Sequence, residues 1–267
     1  RIDTACACTG HGLMKWLRQQ SAAGTVPALF LHIQKTAGTS LVNMARRYYG
    51  DNVISHADYC TVAPDEIKKF GFISGHFGYA FARPLMQGRY SFTFLRDPIE
   101  RVLSFYYFCR FRERIRYDIY QLAHDHELPE FLEICMTDPF LKMQVWNNQV
   151  WQLAYGYTQP DTRKLDDFSP EELLALAKAH LLEFSHVGFT ETFAADADII
   201  CKALKFPRRH PKEQILMENV TPQRPGHSDQ PAEVKAMLGR LTELDRELCD
   251  HAHALQAVKQ RRSWWRW

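Results

Sequence analysis

Leu29-Phe-Leu-His-Ile-Gln-Lys-Thr-Ala-Gly-Thr-Ser-Leu41 is the stretch on which the reading of this chain turns. An apolar run over 26–33 leads into it and reads as a buried strand. Residues 35–40 are small and polar, and 41–49 repeat their apolar positions with helical spacing. The order is strand, small-residue loop, helix start. Peptide N–H groups freed at such a helix N-terminus, together with the helix dipole, favour an anion there. Gly38 permits close approach of the backbone to a ligand. Thr36, Thr39 and Ser40 add hydroxyl donors around Ala37, and Lys35 adds a point charge.

A nucleoside-triphosphate loop reads G-x-x-x-x-G-K-[ST], with its lysine after the last glycine. Here Lys35 precedes Gly38 and no earlier glycine lengthens the cradle. That order disfavours a triphosphate with Mg²⁺ and suits a compact anion such as a phosphosulfate. On the loop alone, an ordinary β–α turn with a solvated Lys35 is an equal reading.

Working outward, further strands are expected at 52–56, 72–76, 90–95 and 185–189. Helices are expected at 64–70, from 98 toward 110, 129–135, 139–154, 173–182, 191–206 and 231–259. Asp97, Pro98 and Glu100 form a capping-box start, and Ser169-Pro-Glu-Glu172 a second strong one. Strands alternating with helices predict an α/β, P-loop-type three-layer sandwich with a central, mostly parallel sheet and helices on both faces. The expected organisation is a leader over 1–25, one domain over 26–258 and a basic aromatic tail over 259–267. In open parallel sheets ligands sit beyond the carboxyl ends of the strands. Lys35, His76 and Arg96 all fall at such ends, and that clustering favours function over an ordinary turn.

The 267 residues suffice for a substantial core, and the net charge of +2 is too small to argue for nucleic acid. No apolar run approaches the roughly 20 residues of a membrane helix. The chain begins at Arg1, so a removed upstream anchor is compatible with it. Of seven cysteines, Cys109, Cys135, Cys201 and Cys249 sit within apolar helical patterns and read as buried thiols. Cys6, Cys8 and His11 lack a second ligand pair, so no metal is expected.

Arg96 can grip a phosphate through two parallel hydrogen bonds, with Ser104 two turns on as a second donor; the plain alternative is an ion pair with Asp97 or Glu100. His76, in Ser-Gly-His-Phe-Gly, titrates near neutrality and can take a proton from an attacking hydroxyl. His56 and His32 are rival bases, His32 the weaker because its place in the first strand suggests burial.

The pairing of Phe30-Leu-His-Ile-Gln-Lys-Thr-Ala-Gly-Thr-Ser40 with Phe94-Leu-Arg-Asp-Pro-Ile-Glu-Arg-Val-Leu-Ser-Phe-Tyr-Tyr-Phe108 resembles the carbohydrate sulfotransferases. Within them it is most similar to the branch of the heparan sulfate 2-O- and 6-O-sulfotransferases and their bacterial relatives. Ser74-Gly-His-Phe77, Asn148-Gln149, Ala154-Tyr-Gly156 and Val187-Gly-Phe-Thr-Glu191 extend the likeness over roughly 27–255. The resemblance implies PAPS (3′-phosphoadenosine 5′-phosphosulfate) as sulfuryl donor, PAP as product and no metal. It implies that Lys35, Thr36, Ala37, Gly38, Thr39 and Ser40 hold the 5′-phosphosulfate and that Arg96 and Ser104 hold the 3′-phosphate. His76 takes the position of the general base, and a loop around Asn219–Arg224 closes over the nucleotide. The chain departs from the pattern at Trp151-Gln152, where relatives often carry a basic residue, and this bears on the acceptor side.

The implied acceptor is a hydroxyl of a carbohydrate, polysaccharide or glycosaminoglycan-like. Arg112 and Arg116, within the run Arg110, Arg112, Arg114 and Arg116, are its candidate contacts; a solvated basic face fits the run equally. Arg208, Arg209 and His210 form a second basic cluster, and Arg261, Arg262 and Arg266 a third. Trp264, Trp265 and Trp267 suit packing against a neighbour, and a homodimer through this helix and tail is one arrangement. Other readings are an inactive PAP/PAPS-binding scaffold, or transfer to a non-carbohydrate small-molecule alcohol. A kinase lacks its Mg²⁺ ligands. Asn219-Val220-Thr221 is a glycosylation pattern inside the loop expected to cover the nucleotide, where a glycan would interfere. That leans toward a cytoplasmic bacterial enzyme, with the Golgi lumen the alternative if an upstream anchor was removed.

Overall fold

The computed structural model of the chain describes residues 25–157, 163–206 and 224–264, with side chains through 258. The expected leader up to residue 24, Asn219 with most of its loop, the cluster at 208–210 and the side chains of the tail lie outside the described residues.

Five strands, β1 (Ala28–Leu31), β2 (Val53–Ile54), β3 (Phe72–Gly75), β4 (Tyr90–Leu95) and β5 (His186–Phe189), form one parallel sheet in the order β2-β3-β1-β4-β5. β1 is central, and each of its residues is 0% exposed, which is why it reads as an unbroken apolar run rather than an alternation. It pairs Leu31 with Gly75 on one side and with Thr93 on the other.

Alternate residues feed two cores. Ala28, Phe30, Phe72, Phe92 and Phe94 pack with α1 (Gly38–Tyr49) and α10 (Phe193–Ala203). Leu29, Leu31, Ile73 and Leu95 face α3 (Tyr79–Met86), α8 (Asn148–Ala154), α9 (Pro170–Leu181) and α12 (Glu243–Trp264). The result is the expected three-layer α/β sandwich. A third cluster lies between α4 (Pro98–Arg110), α5 (Asp118–Asp125), α6 (Leu128–Thr137), α7 (Pro139–Val145) and α11 (Ala232–Leu241), with α2 (Pro64–Ile67) a single turn at the β3 side. No helix among the described residues is long and apolar enough to cross a membrane.

Several elements differ from expectation for local reasons. The single helix expected over 139–154 is two, α7 and α8, because Asn147 adopts a left-handed conformation (φ 40°, ψ 46°), which Asn tolerates better than most residues. The helix expected over 231–259 breaks at Thr242, whose buried hydroxyl donates to the Leu238 carbonyl at 2.8 Å, and α12 then continues to Trp264. α3 and α5 had no counterpart in the sequence reading; α3 follows a glycine and holds an internal proline, Pro84. Cys109, Cys135 and Cys249 are buried as expected, whereas Cys201 is only partly so.

The capping box at Asp97 forms only by half. Asp97 accepts from the Glu100 N–H at 2.8 Å, but the Glu100 carboxylate turns away to Arg224 and to the His227 N–H. The Asp97 N–H donates instead to Glu191 at 2.8 Å. Tertiary partners displaced the local one.

Candidate active site

β3, β1 and β4 are neighbours, and strands lie about 4.8 Å apart, so the residues just past their carboxyl ends must meet. Past β1 comes Lys35; His76 and Arg96 are the first residues past β3 and β4. Arg96 Nη1 donates to the Lys35 carbonyl at 3.0 Å. His76 Nδ1 lies 2.9 Å from the His32 carbonyl. A carbonyl only accepts, so Nδ1 carries the hydrogen and Nε2 carries the free lone pair. The structure thus gathers the cation, the guanidinium and the imidazole that the sequence placed at strand ends.

The loop from Lys35 to Gly38 is shaped by two left-handed non-glycine residues, Lys35 (φ 70°) and Ala37 (φ 63°). Left-handed residues of this kind can turn neighbouring N–H groups inward as an anion-binding concavity. Ala37 is the N-cap of α1 and makes no side-chain cap, and the first turn of α1 carries no acidic residue. An anion fits these N–H groups and the dipole behind them. Thr36 departs from expectation: it is fully buried and its hydroxyl donates to the Ile33 carbonyl at 2.8 Å, which leaves its peptide N–H as its contribution. Gly38 has a requirement beyond the expected one. A Cβ there would lie 1.9 Å from His32 Nε2, so glycine also permits the close approach of the buried His32 ring.

Four cations converge. Lys35 Nζ lies 3.8 Å from the centroid of Phe108. Burial, then Arg96, with smaller effects from Arg112 and Arg224, pushes its pKa down to about 8. Arg96 is lowered as well, by burial and then by Arg224. Arg224 is tied to Glu100 at 2.5 Å, with the Glu100 carboxylate 4.0 Å from Arg96, so one carboxylate serves two guanidiniums. That concentration of positive charge suits an anionic ligand. Ser104, 7% exposed, lies two turns along α4 from Asp97.

Three histidines meet beside the loop. The ring centroid of His76 is 4.4 Å from that of His32 and 5.8 Å from that of His56. His76 is pushed down to about 4, chiefly by burial, and His32 and His56 are lowered for the same first reason. His76 is therefore neutral at physiological pH. His32 is buried, as its strand position suggested, and its Nδ1 has no hydrogen-bond partner among the described residues.

The basic run after α4 divides. Arg110 donates to Glu127 at 2.9 Å and Arg114 pairs with Asp125, so both are structural. Arg112 is exposed, 4.5 Å from the Phe108 ring and within charge range of Lys35; Arg116 lies farther out, over Tyr117 at 5.7 Å. Trp151 and Gln152, where the sequence departs from the pattern of the family it resembles, are buried in the core.

The sequence reading missed the support behind the site. Gln149 and Gln152 on α8 contact the strand ends, and Asp245 caps that helix, accepting from Val150 N at 2.7 Å and Gln149 N at 3.3 Å. Burial raises the Asp245 pKa to about 6. Arg101, 0% exposed, donates to the Gln144 carbonyl at 2.7 Å. Neutral amides in an apolar helical pattern were the one signal, since most buried side-chain amides make hydrogen bonds.

The sequence model described as the sulfotransferase family matches residues 23–242, most of the chain. No curated protein matches the chain at a significant level.

Proposed function

This chain belongs to the sulfotransferase family, whose chemistry is sulfuryl transfer, and on that premise we propose that it moves the sulfuryl group of PAPS to a hydroxyl of a carbohydrate acceptor. The observation that carries the proposal is the gathering of cations around a helix start with no side-chain cap: Arg96 and Arg224 share the Glu100 carboxylate, and Lys35, close to both, is held near a pKa of 8. A nucleotide bearing a 3′-phosphate and a 5′-phosphosulfate supplies the missing charge.

In this reading the N–H groups of residues 36–40 and Lys35 hold the 5′-phosphosulfate, and Arg96, Ser104 and Arg224 hold the 3′-phosphate end. PAPS supplies the activated sulfuryl group. His76 Nε2 takes the hydroxyl proton as the acceptor oxygen bonds to sulfur. Lys35 and the loop N–H groups stabilise the negative charge left on the donor phosphate. Arg112 supports an anionic saccharide as acceptor, because it extends the positive field from Lys35 to the surface. The paired motifs support the branch of the heparan sulfate 2-O- and 6-O-sulfotransferases.

Calorimetry with PAP and with adenosine 5′-monophosphate tests the donor. PAP is expected to bind at least about tenfold tighter, and equal affinities would refute the assignment. Sulfate transfer to a panel of acidic glycans, neutral glycans and small alcohols tests the acceptor. Transfer to small alcohols alone would favour the small-molecule reading.

A further inference from the structure

We infer that α8 is the positioning element of this site: two buried glutamines on one of its faces, Gln149 and Gln152, hold all three strand ends in register. The inference rests on the donor and base assignments just made.

β4 outruns its neighbours at Arg96. β1 pairs along it only as far as Thr93, and β5 only to Leu95, whose carbonyl accepts from Thr190 N at 2.9 Å. The Arg96 peptide groups therefore have no strand beside them, and backbone groups withdrawn from water need partners. Gln149 provides both. Its Oε1 accepts from Arg96 N at 3.0 Å, and its Nε2 donates to Arg96 O at 2.9 Å. One side-chain amide thus stands in for the missing strand residue and fixes the backbone on both sides of Arg96. The guanidinium is aimed from there to the Lys35 carbonyl.

Gln152 does the same for the other two ends. Its Nε2 donates to the His32 carbonyl at 3.2 Å and to the Phe77 carbonyl at 3.0 Å. A group facing two carbonyl oxygens must be the amide nitrogen. The two carbonyls bracket His76: Phe77 follows it in sequence, and the His32 carbonyl accepts from His76 Nδ1. Gln152 therefore sets the distance between the β1 and β3 ends and holds the acceptor that keeps the His76 proton on Nδ1.

Both glutamines are 0% exposed. As core filler they are poor choices, because an amide loses its hydration on burial where a leucine does not. Both of their reaches are long, 53 residues to Arg96 and 120 to His32. α8 is itself anchored at its start by Asp245 on α12 and by Asn147, whose Oδ1 accepts from Asp245 N at 3.1 Å.

The test separates the two glutamines. Gln149→Met keeps the volume and removes both hydrogen bonds. Gln149→Glu keeps the acceptor for Arg96 N and sets a second oxygen against Arg96 O. In each folded variant the preference for PAP over adenosine 5′-monophosphate is expected to fall about tenfold or more, with the monophosphate affinity near that of the parent. An unchanged preference in either overturns the role of Gln149. For Gln152→Met, ¹⁵N NMR of the His76 ring is expected to show loss of the single Nδ1–H tautomer, and an unchanged tautomer overturns the role of Gln152. Exchange of the Arg96 amide in the unmutated protein needs no variant: protection equal to that of the Phe94 amide is expected, and fast exchange overturns the clamp. A parent protein with no preference for PAP sinks the donor assignment, while the amide exchange and the tautomer still decide the positioning.

Discussion

Replacing Gly38 by alanine puts the packing of the loop to a numerical test. The added Cβ would sit 1.9, 2.1 and 2.3 Å from Nε2, Cδ2 and Cε1 of His32, where ordinary contact begins near 3.4 Å, so the ring or the start of α1 must move by about 1.5 Å (3.4 less 1.9). The ring has nowhere to retreat. It is 4% exposed, stacked on Phe30 at 5.0 Å and 16°, and faced by His76 at 4.4 Å. Overpacking of this kind costs roughly 1–3 kcal/mol. Alanine otherwise gains about 0.5–1 kcal/mol over glycine in a helix, so the net effect is a loss. Set against each other these leave a net loss of up to about 2.5 kcal/mol, and at about 2–4 °C per kcal/mol for a chain of this size Tm is expected to fall by up to roughly 10 °C. The assay is thermal unfolding of Gly38→Ala, His32→Ala and the double variant. Because the clash is with one ring, Gly38→Ala should become neutral or stabilising in the His32→Ala background, a coupling of about 1 kcal/mol or more. Strict additivity, or a stabilised single variant, would refute the argument that Gly38 is required by His32.

Three other outcomes follow from the site. Plotted as kcat/KM, activity should fall below pH about 4, where His76 becomes protonated and cannot accept, and again above about 8, where Lys35 loses its charge; a profile flat from pH 7 to 10 would remove Lys35 from the chemistry. Arg112→Ala should raise KM for an anionic acceptor several-fold and move the alkaline limb upward, since Arg112 is one of the charges that depress Lys35; an unmoved limb argues against that coupling. Ala37→Gly should stabilise the protein by about 0.5–1 kcal/mol, because Ala37 is held at φ 63° where glycine is unstrained; denaturant unfolding measures it, and a loss of stability would contradict the strain.

Much of this molecule is written locally. The unbroken apolar run of β1, the small-residue turn after it and the helical period beyond Leu41 are decided by side-chain chemistry within a few residues, and they sufficed for a parallel α/β sheet with a candidate anion site. The order of Lys35 before Gly38 set the loop apart from a triphosphate cradle, and strand ends pointed to Lys35, His76 and Arg96. What local chemistry could not decide is which strands lie side by side. Only the order β3-β1-β4 makes those three residues neighbours, and it results from the burial of whole faces against helices far along the chain. The same holds for single groups. Glu100 looked like a cap and serves Arg224 and His227, Thr36 looked like a ligand donor and bonds Ile33, and Gln149 and Gln152, legible only as a match to and a departure from a family pattern, find carbonyls 53 and 75 to 120 residues away. Periodicity reports which face of an element is apolar; a polar side chain chooses its partner only after the chain has closed around it and withdrawn it from water.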